Sequence, residues 1–345
     1  MTNYEKEKQI AITTVTAAAQ LCQQVRHQQN WATLKKADAS PVTIADFGSQ
    51  AIICQGLSVA FPDDPIIAEE DATFLEQPEL ADSLKTVTQQ VQKLIPGTTP
   101  PDVIDWINRG NGQIAWGTER VPHSRYWTLD PIDGTKGFIR GDQYAIALAL
   151  VEKGEVKLGI LACPALAADF RQPNRDQGVI FLAIRGQSTE MISIGTQKSQ
   201  FIRVNDSDQI EKIRRIESVE SAHSDRSLQI ILDQTLGLSG AAQQMDSQAK
   251  YGAVARGEAD LYLRIPLARA MYQENIWDHA AGSIIVEQAG GKVSDLEGKP
   301  LDFSLGAKLS KNRGIVVSNG NIHPQVLKAL TQMTLPSTSD NSVSI

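Results

Sequence analysis

Cysteine is scarce, with three residues in a chain of 345, at positions 22, 54 and 163. Their wide separation matches neither a zinc site nor a thioredoxin-like redox motif, and a regulatory disulfide is the weaker alternative to a core role. They read as small core side chains of a reducing compartment. No run approaches 18 apolar residues, which removes a membrane-spanning helix. The start, Met1-Thr2-Asn3-Tyr4-Glu5-Lys6-Glu7-Lys8, lacks the apolar stretch of a signal peptide, so the expected location is the cytoplasm. There is no P-loop and no G-x-G-x-x-G run, which leaves ATP hydrolysis and hydride transfer without a binding motif. Positive charge is in deficit: 33 Lys and Arg face 40 Asp and Glu, for a net charge of −7. That balance argues against a nucleic-acid polymer or a membrane surface as partner. An anionic substrate would have to be received by bound cations or by a local basic cluster.

What is present is an ordinary globular composition, 41% hydrophobic and 21% charged, on a chain long enough for two lobes. It turns on Trp127-Thr128-Leu129-Asp130-Pro131-Ile132-Asp133-Gly134-Thr135-Lys136-Gly137-Phe138. Tyr126 to Leu129 predicts a short strand. Pro131 then fixes its own φ and removes a backbone donor, and a turn there would aim Asp130 and Asp133 at one point. Two carboxylates that close repel, so one must be protonated or a cation must sit between them. A helical turn beginning at Gly134 and Thr135 would offer free N–H groups to an anion. Cations beside such a turn suggest a metal-assisted phosphate site. The plainer alternative is that Asp-Pro and Asp-Gly are common turn dipeptides.

Elsewhere, an apolar stripe at Ile10, Thr14, Ala18, Leu21, Cys22 and Val25 predicts a helix over 4–29. Ser40-Pro41 breaks the chain, and a second helix starts at Thr43 or Asp46. Asp46 is then an early-helix carboxylate favoured by the dipole. Ile66 to Ala68 reads as a brief strand ending in Glu69, Glu70 and Asp71. A helix is expected around Leu84–Leu94, and residues 96–124 read as variable loops. Strands follow over 143–151, 156–162 and 178–186, a largely antiparallel set. From about 211 the rhythm alternates, which predicts an α/β lobe. Strands are expected over 213–219, 241–245, 260–264, 293–294 and 314–318. Helices are expected over 225–236, 247–257, 278–289 and 322–333, with Asp278 as N-cap of the third. The expected division is 1–210, 211–334 and a disordered tail over 335–345.

Together, Glu69-Glu70, Asp130 to Thr135 and Trp277-Asp278 resemble the lithium-sensitive, magnesium-dependent superfamily of inositol monophosphatase and fructose-1,6-bisphosphatase. The chain most resembles the 3′(2′),5′-bisphosphate nucleotidases within it. That likeness rests on Ser40-Pro41-Val42-Thr43, Phe61-Pro62-Asp63-Asp64, Lys136-Gly137-Phe138 and Val219 to Ser224. It continues through Asp246 to Tyr251 and Leu261 to Pro266. One departure is Glu220-Ser221-Ala222-His223, where Lys and Gly are expected between Glu and His. The resemblance implies a layered αβαβα sugar-phosphatase fold of two lobes with the site between them. It implies two or three Mg²⁺: one on Glu69, Asp130 and the carbonyl of Ile132, a second on Asp130, Asp133 and Asp278, and a third near Glu69. Thr135 with Asp46 would orient and deprotonate the attacking water, and the N–H groups of Gly134 and Thr135 would take phosphate oxygens. His223, Ser247, Lys250 and Arg264 would contact the nucleotide. Outside the resemblance, Lys250 reads as a helix-surface lysine and Arg264 as a strand-end arginine in a salt bridge. The implied reaction converts 3′-phosphoadenosine 5′-phosphate to AMP and phosphate, with 3′-phosphoadenosine 5′-phosphosulfate as a second substrate, in the clearance of sulfate-assimilation by-products. Inositol 1,4-bisphosphate or an inositol monophosphate is the alternative substrate, and a non-catalytic nucleotide sensor is the rival of another class.

Overall fold

The computed structural model describes residues 4–28, 33–35, 41–112, 125–172, 177–220, 224–238, 240–266 and 273–333. Ser40, His223 and the tail from 335 lie outside them, as does part of the segment expected to be loop over 96–124. The first helix, α1 (Glu5–His27), buries Thr14, Ala18, Leu21, Cys22 and Val25 of the expected stripe, leaves Ile10 half-buried, and buries Ala11 and Val15 as well. β1 (Thr33–Lys35) and β2 (Pro41–Thr43) form a small antiparallel pair leading into α2 (Ile44–Ala60). A capping box starts α2: the Thr43 hydroxyl accepts from Ala45 N at 3.1 Å, and the Asp46 carboxylate accepts from Thr43 N at 2.8 Å. These bonds satisfy donors that a helix start otherwise leaves without partners.

Seven strands form the first sheet: β3 (Ile66–Ala68), β4 (Arg125–Asp133), β5 (Ala145–Glu152), β6 (Glu155–Ala167), β7 (Gln177–Ile184), β8 (Glu190–Ser193) and β9 (Ser199–Phe201). They lie in sequence order, with β3 parallel to β4 and the other neighbours antiparallel. Their side chains alternate between two cores, as a period of two requires. On β5, Ile146, Leu148 and Leu150 join the core under α1 and α2, while Ala145, Ala147 and Ala149 face the other way. Beside α2 stand α3 (Ala81–Gln92) and α4 (Pro100–Asn108). The latter replaces part of the loop expected over 96–124. Its two prolines sit at the first helical positions, where the missing N–H costs nothing, and Thr99 and Asp102 supply another capping box. After β4 comes the short helix α5 (Thr135–Arg140).

The second sheet contains β10 (Arg215–Glu217), β11 (Gln243–Gln244), β12 (Leu261–Arg264), β13 (Lys292–Ser294) and β14 (Ile315–Ser318), in the order β11-β10-β12-β14-β13. Four helices accompany it: α6 (Arg226–Leu236), α7 (Ala249–Ala255), α8 (Ala280–Gln288) and α9 (His323–Gln332). α7 and α8 lie between the sheets, while α6 and α9 pack together on the outside, so the layers run αβαβα. Small residues let the middle layer approach closely. A Cβ on Gly159 of β6 would lie 2.4 Å from Ile284 Cγ2 on α8.

Two expectations near the centre need correction. β4 does not end at Leu129 but continues through Pro131 to Asp133, because its register against β5 shifts between Asp130 and Asp133. At such an irregularity the ladder does not need proline's missing donor. Asp278 is not a helix cap either. It closes the 3₁₀ turn Ile276–Asp278, and α8 begins two residues later.

Candidate active site

Four local devices aim the predicted residues. At the end of β3, the Gln50 side chain of α2 donates to Glu70 O at 2.6 Å and accepts from Glu70 N at 3.0 Å. Glu69 N donates to Leu129 O at 3.2 Å, so the Glu69-Glu70 segment is fixed from both sides. On β4, Asp130 is buried and accepts from Ile132 N at 3.1 Å, while the Pro131 carbonyl takes the Ser49 hydroxyl at 2.9 Å. Asp133 Oδ2 accepts from Gln248 N at 2.6 Å, across 115 residues of sequence. Gly134 then caps α5 with a φ of +85°, in the left-handed region that glycine tolerates. A Cβ there would also strike Ser247 Cβ at 2.9 Å.

Thr135 Oγ1 lies 3.3 Å from Asp46 Oδ1 and 3.2 Å from the Ile132 carbonyl, so its one proton faces two acceptors. The other oxygen of the fully buried Asp46 is held by Thr43 N at 2.8 Å and by Thr43 Oγ1 at 2.6 Å. Asp46 is therefore both a capping carboxylate and a proton acceptor aimed at Thr135.

A cavity of about 170 Å³ brings the predicted set together. Glu69, Asp133, Gly134, Thr135 and Asp278 line it, and Ser247, Lys250 and Arg264 share the lining. Asp46, Asp130 and Ile132 are not on the lining, yet Asp130 stays within the electrostatic reach of the acids. Burial first, and then the charges of Glu69, Asp133 and Asp278, hold its carboxyl well above the usual carboxylate range. Burial, followed by the charge of Asp133, pushes Asp278 up to about 7, while His279 and Arg264 oppose the shift. Desolvated like charges behave this way when no cation lies between them.

Lys250 is not a surface lysine. It is buried, its ammonium donates to Ser247 O at 2.7 Å and Met245 O at 3.1 Å, and it lies 5.2 Å from the centre of the Tyr262 ring. Burial lowers its pKa to about 8. Arg264 does form the expected salt bridge, with its Nε 2.9 Å from Glu274 Oε1. Glu274 also meets His279 Nε2 at 3.2 Å, and His279 Nδ1 is 2.7 Å from the Tyr251 hydroxyl. Sequence reading passed over this chain of contacts, although His279 adjoins Asp278 and Glu274 lies only four residues before it. Glu274, Asp278 and His279 bring ligand atoms within 4.8 Å of one another, a group that could hold one metal ion. Gln248 was also missed. Its amide donates to Trp277 O at 2.9 Å and accepts from Gly282 N at 3.2 Å, tying α7 to the Asp278 turn.

The described residues include no helix long and apolar enough to cross a membrane. The family model described as "Inositol monophosphatase family" matches residues 3–335. A 3′(2′),5′-bisphosphate nucleotidase of Schizosaccharomyces pombe is 40% identical over 344 residues, covering 96% of this chain and 97% of that protein. The enzyme of the same name from Oryza sativa is 41% identical over 344 residues, covering 95% and 94%. Among solved structures, the inositol monophosphatase from Anabaena (Nostoc) superposes with a TM-score of 0.61 at 19% identity, covering 97% of this chain and 98% of that one. At that identity the likeness speaks for the fold.

Proposed function

The chain belongs to the inositol monophosphatase family and, within it, to the 3′(2′),5′-bisphosphate nucleotidases, and from that premise we propose that it removes the 3′-phosphate of 3′-phosphoadenosine 5′-phosphate, giving AMP and phosphate. The observation that carries the reading is the gathering of Glu69, Asp130, Asp133 and Asp278 into one mutually repelling group, with Asp278 pushed up to about 7. The phosphosulfate form is the second substrate, and clearance of sulfate-assimilation by-products is the role. The relatives' shared name and the basic pair Lys250 and Arg264 favour a nucleotide over an inositol phosphate. The site lies where the lobes 1–210 and 211–334 meet.

The donor set fits magnesium: carboxylate oxygens and a backbone carbonyl are hard ligands, and their repulsion is relieved by a divalent cation. Glu69, Asp130 and the Ile132 carbonyl would hold one ion, Asp130, Asp133 and Asp278 a second, and Glu69 would serve a third. Bound there, the ions supply positive charge to the phosphoryl oxygens and the departing 3′-oxygen, in a reaction that calls for up to ~10²¹-fold acceleration. The chain's own residues do the rest. Thr135 Oγ1 accepts a proton from the attacking water and passes its own to Asp46 Oδ1. The water oxygen bonds to phosphorus as the bond to the 3′-oxygen breaks, and the departing 3′-oxygen takes a proton from solvent to become the hydroxyl of AMP. Gly134 and Thr135 N–H groups bind phosphate oxygens, while Ser247, Lys250, Arg264 and His223 hold the nucleotide.

The deciding experiment measures phosphate release from 3′-phosphoadenosine 5′-phosphate, the phosphosulfate and inositol 1,4-bisphosphate, with and without Mg²⁺. Magnesium-dependent release that favours the adenosine substrates, and that lithium inhibits, is the expected result. Absence of release from the nucleotide overturns the proposal.

A further inference from the structure

The segment that faces the nucleotide is held in an unusual backbone conformation by a network that reaches from the substrate cavity out to Arg140, which does not line it. Ser247 has a φ of +65°, a left-handed value that residues with a Cβ avoid. The two carbonyls that hold the Lys250 ammonium belong to Met245 and Ser247, the residues on either side of Asp246. Where Asp246 sits therefore decides where Lys250 is anchored.

Asp246 is buried, and its Oδ2 accepts from Arg140 Nη2 at 2.7 Å. The same guanidinium donates through Nη1 to Glu220 at 2.8 Å and through Nε to Asp142 at 3.0 Å. Lys136 reinforces it by donating to Glu220 at 2.9 Å. Glu220 follows β10 and Asp246 follows β11, so one side chain on α5 fastens two loops of the second sheet to the helix that starts at Thr135. Glycine permits the contact: a Cβ on Gly137 would lie 2.7 Å from Asp246 Oδ2. Arg140 borders a separate cavity of about 1260 Å³ and does not line the one containing the acids, whereas Asp246 lines both. Arg140 therefore acts on the site through Asp246 and Glu220, which both line the acid cavity, and of the two only Asp246 adjoins the carbonyls that hold Lys250. A lysine's single ammonium does not reproduce a planar fork spread over three carboxylates.

We propose that Arg140 is a positioning residue for nucleotide affinity: by fixing Asp246 it keeps Ser247 left-handed and sets Lys250 opposite the Thr135 turn. This rests on the nucleotidase reading of the site. Arg140→Met should raise KM for 3′-phosphoadenosine 5′-phosphate about tenfold and leave kcat within about twofold, the pattern of lost uniform binding. Arg140→Lys, which keeps the charge but not the fork, should retain most of that defect. Asp246→Asn should share it, and the double variant should be no worse than either single one, because the two residues act as a unit. Asp246→Asn also carries the test if Arg140→Met does not fold. Independently of any substrate, the Gln248 amide, bonded to Asp133, should exchange its hydrogen faster in Arg140→Met than in the wild type. An unchanged KM in a folded variant, a kcat that falls as much as KM rises, or additive effects in the double variant overturn the proposal. If the wild type releases no phosphate from the nucleotide, the nucleotidase reading fails and hydrogen exchange alone decides: faster exchange supports the positioning role, and unchanged exchange refutes it.

Discussion

The two ends of the cavity handle buried charge in opposite ways. At the acidic end burial raises the pKa of Asp130 and of Asp278, and the neighbouring charges add to it, those of Glu69, Asp133 and Asp278 on Asp130 and that of Asp133 on Asp278. At the basic end the cations rest on partners already in place: Lys250 on two carbonyls and Arg264 on Glu274. One end stores repulsion that a divalent cation would relieve. The other is organised before any ligand arrives. Buried charges are tolerated when paired and costly when opposed, so the acids should govern turnover and metal response, and the basic residues affinity.

The sharpest way to break this contrast is Asp130→Asn. It should reduce kcat by at least about 10²-fold, the scale seen when a group stabilising transition-state charge is lost. It should also raise the melting temperature of the metal-free protein by relieving repulsion. Undiminished turnover would show that the ligand assignment is wrong.

A pH series on metal-free protein comes next. Asp278 titrates at about 7 in the folded chain against an ordinary 3.8. Between those values the folded state keeps a proton that the unfolded state has lost, so this site's contribution to stability falls as pH rises through that window. Melting curves of wild type and Asp278→Asn should therefore diverge between about pH 4 and pH 7, with the wild type losing ground. Magnesium should stabilise the wild type more at pH 8 than at pH 6, because protons compete for its ligands. A magnesium response that does not change with pH would contradict the acid-end picture.

At the basic end, Lys250→Met should raise the nucleotide KM about tenfold with little change in kcat. Its melting temperature should fall modestly, since the apolar chain removes the donor to the buried Met245 and Ser247 carbonyls while sparing the desolvation of an ammonium. A large loss of kcat would erase the distinction between the ends. The smallest effect is expected at Thr43→Val, which removes a donor to Asp46 and a helix cap, costing about 1 kcal/mol of stability by denaturant titration.

What could be read from the sequence was whatever neighbouring residues encode. The helix start at Gly134 and Thr135, the Thr43 start of α2 and most of the apolar stripe of α1 are local patterns, and the structure contains each of them. Misreadings arose where a distant partner overrules local preference. Pro131 looked like part of a turn, but the strand runs through it to Asp133, because the register shift against β5 accommodates it. Asp278 looked like a cap, because nothing nearby signals the intervening turn. Pro100-Pro101 looked like a loop, although proline suits the first positions of a helix. Lys250 looked exposed because its burial depends on Tyr262 and on the fold of its own segment. The Arg140 contacts span 80 and 106 residues, beyond the reach of any periodicity.

The Gln50 carboxamide has a consequence for the shape of the sheet. A primary amide presents a donor and an acceptor side by side, much as one residue of a neighbouring strand does, so on Glu70 it acts as a single rung borrowed from a helix. The backbone just past β3 is thus satisfied without another strand alongside, and Glu69 can project from a rigid margin into open space. Exchanging Gln50 for glutamate would set an acceptor oxygen against the carbonyls of Glu70 and Ile107 and loosen that margin. The backbone of the site's first acid would then be held from one side, through its bond to Leu129 O.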